Sequence, residues 1–389
     1  MTERCALRGT AEPATLDALD ALRRRQAQVL MVHPDATTTE TEQLLQHCGE
    51  PPFWPETMSA SGAGGVLIGT SGTSGEPKVV CLTWSALEHS AHQVWQALGG
   101  RAGDHWLCPL PLAHVAGLAA VERCRVGGGV PLFVQAGGRG EELLRALQGP
   151  EVQFASLVPT QLSRLLNVLK GRRAPALKAL LVGGAAMPPE LLQQAREQGF
   201  PIVCSYGLSE AGSTVAMTAL QDARRPEALG DWAELLPSFE AQVVDGELQL
   251  RGPALFQGYF GAPARQPGDW FPTGDRAELR DRTLRITGRQ GLSFKRGGEW
   301  IDPLEIEQTL ASCVGVDEVA ILAEPDPDLG RRIVAVVVPE AGAEDLLAHL
   351  EQFCREHLAR HKHPSRWEIR SQKLPRSPLG KIRRRQLMG

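Results

Sequence analysis

Between His105 and Gly207 short apolar runs alternate with helix-like stretches, and this alternation restricts the fold more than any other feature of the chain. "HWLCPLPL", "GGGVPLFV", "VQFASLVP", "LKALLVGG" and "PIVCSYG" read as buried strands. A helix after Pro111, then "EELLRALQ", "TQLSRLLNVL" and "PPELLQQAREQG", read as the helices between them. Strands returned by helices at this spacing predict an α/β fold, a mostly parallel sheet covered by helices on both faces. Upstream, 15–32 and 40–48 have helical spacing, Val66–Ile68 reads as a strand, and 83–99 as a helix with a Thr/Ser start. From about 239 to 288 short alternating strands with "DG" and "RD" at their turns predict a small β-subdomain. After Arg289 the chain restarts as a compact α+β unit of about a hundred residues. The expected division is an N-terminal domain over 1–290 and a C-terminal domain over 291–389.

Composition narrows the function by exclusion. A net charge of −4 over 389 residues gives no basic field for nucleic acid, although basic residues gather in "KIRRRQL" at the end. No stretch is long and apolar enough to span a bilayer, and the N-terminus lacks an apolar signal core, so an uncleaved start and no stable membrane insertion are expected. The eight cysteines are scattered, with no CxxC pair and no HExxH. Reduced thiols in a cytoplasmic protein without zinc are the expectation. The sequence carries no reading of oligomeric state.

The chemistry begins at "GTSGTSGEPK", residues 69–78, directly after the strand Val66–Ile68. Gly69, Gly72 and Gly75 let backbone N–H groups turn toward an anion. Thr70, Ser71, Thr73 and Ser74 add hydroxyls, and Lys78 adds charge. This is a phosphate cradle, and it is not a Walker A loop, because no Gly-Lys-[Ser/Thr] follows.

The loop resembles the signature of the acyl-adenylate-forming superfamily, which includes acyl- and aryl-CoA synthetases, luciferases and peptide-synthetase adenylation domains. Further motifs of that superfamily follow in order: "PLAHVAG" (111–117), "SYGLSEAG" (205–212), "WFPTGD" (270–275), "ITGRQ" (286–290), "RGGEWIDPLEIE" (296–307) and "LPRSPLGKI" (374–382). The resemblance covers residues 64 to 389. It implies that MgATP and a small-molecule carboxylic acid give an acyl adenylate, which coenzyme A then attacks. It places the β- and γ-phosphates on loop 69–78, adenine on Tyr206 with Gly184 and Ala185 at its edge and Ser205 and Gly207 beside it, and the ribose on Asp275 supported by Arg289. Ser209 stands where the family has threonine and keeps the hydroxyl for the α-phosphate. Glu210 is the implied magnesium ligand. Lys381 is the implied catalytic lysine, carried in by a mobile C-terminal domain. At the hinge the family has Asp or Lys, whereas this chain has Gly291. Relatives also carry well over a hundred residues before the loop, against 68 here, so a shortened N-terminal subdomain is expected.

Segments 154–166, 181–199 and 206–215 further resemble the o-succinylbenzoate–CoA ligases of menaquinone and phylloquinone synthesis. Gly183, Gly184 and Ala185 would leave room for an aromatic ring, Ser213 and Thr214 would bond a polar acyl group, and His114 would gate the pocket. The acid's second carboxylate needs a cation or hydroxyl cluster, which the sequence does not single out; Arg164 is only a guess for it. A ligase for another aryl or fatty acid, and a nucleotide-binding relative without catalysis, stay open at this point.

Overall fold

The strand–helix alternation builds the centre of the molecule. Strands Val130–Phe133, His105–Cys108, Val152–Leu157, Ala179–Val182 and Ile202–Leu208 lie side by side and run parallel. Helices Val115–Gly127, Gly140–Leu147, Pro159–Leu169 and Pro189–Glu197 lie between them in sequence. The computed structural model describes residues 4–9, 13–32, 64–71, 77–134, 140–149, 151–169, 177–185, 187–225, 232–289, 294–297, 299–301, 303–340, 342–343, 345–375 and 382–387. The expected domain boundary after residue 290 falls outside them.

Past Ile202–Leu208 the sheet changes direction. Ser213–Met217, Ala233–Leu235, Thr283–Arg289, Phe271–Arg280, Glu247–Arg251 and Glu240–Val244 continue it antiparallel, to eleven strands. The short strands expected over 239–288 thus extend the parallel sheet instead of forming a sheet of their own. Asp245 and Gly246 both take positive φ, 51° and 80°, as a two-residue hairpin turn requires. Four strand steps separate Ile202–Leu208 from Phe271–Arg280, roughly 19 Å in a flat sheet. Tyr206 on the first strand still donates to Asp275 on the second over 2.7 Å. The sheet therefore curls, as strand twist favours.

A second sheet orders Arg4–Arg8, Gln28–Val32, Gly65–Ser71, Pro77–Thr83 and Gly258–Tyr259. One expectation fails here. The spacing over 15–32 predicted a helix, yet the helix is Pro13–Arg24 and Gln28–Val32 is a strand. Gln26, at φ 54°, lies just past the helix end. "QVLMV" then pairs parallel on both sides, with Arg4–Arg8 and Gly65–Ser71. Residues 40–48 lie outside the described residues. Helix Trp84–Ala97 matches its expected start: Thr83 caps it by accepting from the Ala86 N–H at 3.0 Å.

The small C-terminal domain is a three-stranded sheet, Val316–Asp326, Gly330–Pro339 and Arg366–Ile369, with helices Pro303–Ala311 and Leu346–His357. Within "RRIVAVVVPE" residues 333–338 are continuously apolar because both faces are covered. Ile333, Ala335 and Val337 join one core, and Val334, Val336 and Val338 join another with Leu374 and Leu387. Part of the basic tail is therefore packed, and Arg384 pairs with Glu307.

Helix Val115–Gly127 is buried from Gly117 to Cys124. A helix enclosed on all faces must bury any charge it carries, and this one carries Glu122 and Arg123. Glu122, 1% exposed, accepts from Arg23 at 2.7 Å and from Arg125 at 3.1 Å. Glu122→Ala is expected to cost about 3 kcal/mol, the lower end for breaking a buried pair, measured by urea unfolding. A loss near zero would mean that the pair contributes nothing to holding Pro13–Arg24 on this helix.

Candidate active site

The expected site residues fall into three groups. The first surrounds a cavity of about 590 Å³ lined by Gly184, Ala185, Ser205, Tyr206, Gly207, Asp275 and Arg289, with Leu304 and Glu305 of the C-terminal domain. Strand Ile202–Leu208 presents Ser205, Tyr206 and Gly207 there. Gly207 must be glycine, because an added Cβ would fall 1.9 Å from the Ser213 carbonyl oxygen. A Cβ on Gly183 would fall 2.3 Å from the Ser205 hydroxyl and 2.9 Å from its carbonyl oxygen. Asp275 and Arg289 are register partners, with Nε 3.4 Å from Oδ1. Thr273 Oγ1 accepts from the Asp275 N–H at 3.0 Å, and Gly274 N–H donates to Glu247, so the Thr-Gly-Asp turn is fixed on its strand.

Burial governs the titration of this pair. Burial first, with the Glu210 and Glu247 charges, raises the Asp275 carboxyl above its ordinary value against the lowering by the Arg289 charge and the Tyr206 hydrogen bond. Tyr206 is half-buried, and burial with the Asp275 charge drives its phenol well up, so it stays a donor.

The second group gathers where the hairpin Gly65–Ser71/Pro77–Thr83 meets the 3-10 turn Ser209–Ala211. Register sets Thr70 opposite Lys78 and Ser71 opposite Pro77. Gly72, Thr73, Ser74 and Gly75 lie outside the described residues, as do Gly291 and Lys381. Glu210 Oε1 accepts from Tyr259 Oη at 2.8 Å, and Lys78 Nζ lies 4.9 Å from the Tyr259 ring centre. Among the described residues no cluster of three or more His, Cys, Asp or Glu forms a metal cage. One hard carboxylate beside a phosphate-type loop fits magnesium, which takes few protein ligands and keeps waters and phosphates.

The third group is one the sequence only half announced. Ser213 and Thr214 both accept from Arg123 Nη2, at 3.3 and 3.0 Å. Arg123 is 1% exposed, and its guanidinium carbon lies 5.1 Å from the Trp106 ring centre. Burial lowers its pKa to about 10, so it stays charged at neutral pH. Its nearest titratable neighbours do not neutralise it: burial raises Cys108 to about 11 and Cys124 to about 12, keeping both as thiols. Among the described residues no carboxylate pairs with Arg123, and its Nε finds no acceptor. Ser213 also holds φ 118°, a strained backbone for a non-glycine residue. Arg123 is thus a buried cation held by two hydroxyls and an indole face, and neither it nor Ser213 and Thr214 lines the cavity of the first group.

Two expected residues stand elsewhere. His114 is the N-cap of helix Val115–Gly127, makes no capping bond, and does not line the cavity. Arg164 is corrected: its side chain is 50% exposed and lies 4.0 Å from Asp317, so it faces the C-terminal domain. The sequence reading missed Arg123 and Tyr259. Their signals were the adjacent charges Glu122 and Arg123 after the apolar run 115–121, and the second of only two tyrosines.

Comparison with known proteins gives the following. The model of the AMP-binding enzyme family matches residues 4–260, and that of the AMP-binding enzyme C-terminal domain matches 305–381. The 2-succinylbenzoate–CoA ligase of Escherichia coli (strain K12) is 34% identical over 392 residues, covering 93% of this chain and 82% of that one. The structure of o-succinylbenzoate CoA synthetase (MenE) from Bacillus subtilis with the acyl-adenylate intermediate OSB-AMP matches with a TM-score of 0.82 and 26% identity, over 100% of this chain and 88% of that one. The same synthetase in complex with ATP and magnesium ion gives 0.81 and 25%, over 100% and 89%.

Because the folded Asp275 carboxyl titrates above its unfolded value, ionising it costs stability as pH rises through that interval. Asp275→Asn is expected to raise the thermal midpoint at neutral pH and to flatten this dependence in melts from about pH 4 to 8. A lowered midpoint would mean that the Arg289 and Tyr206 contacts outweigh burial.

Proposed function

The chain belongs to the family of AMP-binding enzymes, and on that premise we propose that it is an AMP-forming acid–CoA ligase acting on 2-succinylbenzoate. The relatives named for that reaction span nearly the whole chain. The observation that carries the substrate is Arg123. A fatty acid or a simple aryl acid has one carboxylate, which the reaction consumes. A buried, unneutralised guanidinium with the Ser213 and Thr214 hydroxyls suits an acid that keeps a second carboxylate.

In the first half-reaction a carboxylate oxygen attacks the α-phosphorus of ATP, the bond to the β-phosphate oxygen breaks, and pyrophosphate leaves. Catalysis there is positioning and charge stabilisation. Asp275 would accept from the ribose hydroxyls with Arg289 beside it, and Tyr206 would stack on adenine. Thr70, Ser71, Gly72, Thr73, Ser74, Gly75 and Lys78 would hold the outer phosphates, and Ser209 the α-phosphate. Magnesium held by Glu210 would neutralise phosphate charge. Lys381 would stabilise the transferring group electrostatically. In the second half-reaction the coenzyme A thiol attacks the acyl carbon, loses its proton, and AMP leaves. A C-terminal domain of residues 291–389 turning about Gly291 would separate the two steps. His114 would guard the acid pocket. The unbridged buried thiols suit a cytoplasmic enzyme of menaquinone or phylloquinone synthesis. Among the described residues no helix is long and apolar enough to cross a membrane.

The test is a pyrophosphate-release screen with and without coenzyme A. 2-Succinylbenzoate is expected to give AMP and a thioester with a kcat/KM about 10⁴-fold above benzoate or a medium-chain fatty acid, the scale on which a site built to hydrogen-bond a substrate group rejects an analogue lacking it. Higher kcat/KM for a monoacid would leave the ligase class and remove this substrate. No pyrophosphate from any acid would favour a non-catalytic nucleotide-binding relative.

A further inference from the structure

The chain has two tyrosines, and each donates its hydroxyl to a carboxylate of the site. Tyr206 serves Asp275. Tyr259 serves Glu210, and its surroundings tie it to the phosphate loop as well. Strand Gly258–Tyr259 closes the five-stranded sheet by pairing with Pro77–Thr83, Gly258 opposite Cys81 and Tyr259 opposite Val80. Gln257 N–H donates to the Cys81 carbonyl and Phe260 N–H to that of Val79, at 2.9 and 2.8 Å. On its other side Phe256 N–H donates to the Glu210 carbonyl at 2.7 Å. One short strand therefore joins the exit of the phosphate loop to the turn that bears Glu210. Gly258 takes φ 152°, which side chains of L-residues rarely adopt, so the bend that delivers Tyr259 depends on glycine.

The ring and the hydroxyl have separable tasks. The ring packs edge-on against Phe256, with centres 4.9 Å apart, and lies under the Lys78 ammonium. Packing needs only the ring. The hydroxyl donates to Glu210 Oε1 at 2.8 Å.

We propose that Tyr259 is a positioning residue for the triphosphate end of the site: its hydroxyl fixes one Glu210 oxygen so that the carboxylate is oriented for magnesium, and its ring holds the Lys78 ammonium toward the phosphates. This rests on Glu210 being the magnesium carboxylate. Partners that orient a metal ligand contribute to metal affinity without touching the metal. Tyr259 would therefore act on the step that uses the triphosphate and not on thioester formation.

The experiment is calorimetric titration of ATP into the full-length enzyme over a series of free magnesium concentrations. Tyr259→Phe, which keeps the ring, should raise the magnesium concentration for half-maximal gain in ATP affinity by about tenfold, the lower end for losing a partner of a metal ligand. Metal-free ATP affinity and the thermal midpoint should stay close to wild type. Tyr259→Leu should also weaken metal-free ATP binding, because Lys78 loses its ring. Both variants should convert ready-made acyl adenylate and coenzyme A to thioester at near wild-type rate. A wild-type magnesium titration for Tyr259→Phe, while Glu210→Gln shifts it, would overturn the role of Tyr259 alone. An unshifted titration for Glu210→Gln would overturn the Glu210 assignment and this role with it. Equal loss in both half-reactions would mean that Tyr259 only supports the fold.

Discussion

A positive charge enclosed in the protein interior, that of Arg123, is the constraint around which the proposed acid site is organised. Removing a guanidinium from water costs several kcal/mol unless it is paired, and Arg123 has hydroxyls and an indole face but, among the described residues, no carboxylate. The chain supports that charge at some expense. Helix Val115–Gly127 is enclosed, so Glu122, the preceding residue, goes to Arg23 and Arg125 instead of cancelling Arg123. Cys108 and Cys124 are held as thiols by burial. Ser213 adopts a strained backbone at φ 118° and offers its hydroxyl there. Strained backbone of this kind clusters at ligand and active sites.

The proposed nucleotide site depends on the sheet. Ligands in open α/β sheets lie beyond the carboxyl ends of the strands, where the topology changes. Here the change is the step from parallel to antiparallel pairing after Ile202–Leu208. Ser209, Glu210, Ser213 and Thr214 all lie in that reversal. The curl of the antiparallel half returns Asp275 to Tyr206, and Gly258–Tyr259 links the reversal to the phosphate hairpin. Three short segments thus meet although the chain separates them widely.

What was legible in the sequence was whatever depends on local chemistry. The Gly/Ser/Thr loop, the Thr83 cap and the Asp245–Gly246 turn each need particular residue types at particular spacing. So did the strand–helix alternation, because a buried parallel strand is apolar throughout. The strand Gln28–Val32 was misread because a short apolar run looks the same whether it is buried as helix or strand, and its partners are remote. Arg123 and Tyr259 were missed for a related reason. Their meaning lies in contacts across ninety and forty-nine positions, to Ser213 and to Glu210. Arg164 illustrates the converse: a cation near the expected pocket in sequence turned toward Asp317 in space.

The most direct measurement compares two acids in two proteins: 2-succinylbenzoate and 4-oxo-4-phenylbutanoate, the same acid without its ring carboxylate, each with wild type and with Arg123→Met. If Arg123 receives the second carboxylate, the variant loses about a hundredfold in kcat/KM for the diacid, the scale of removing one partner of a buried charge pair. Its kcat/KM for the monoacid should hardly change. Because the comparison is a ratio within each protein, partial misfolding of the variant cancels. Equal loss for both acids would contradict the account and leave Arg123 as a structural charge.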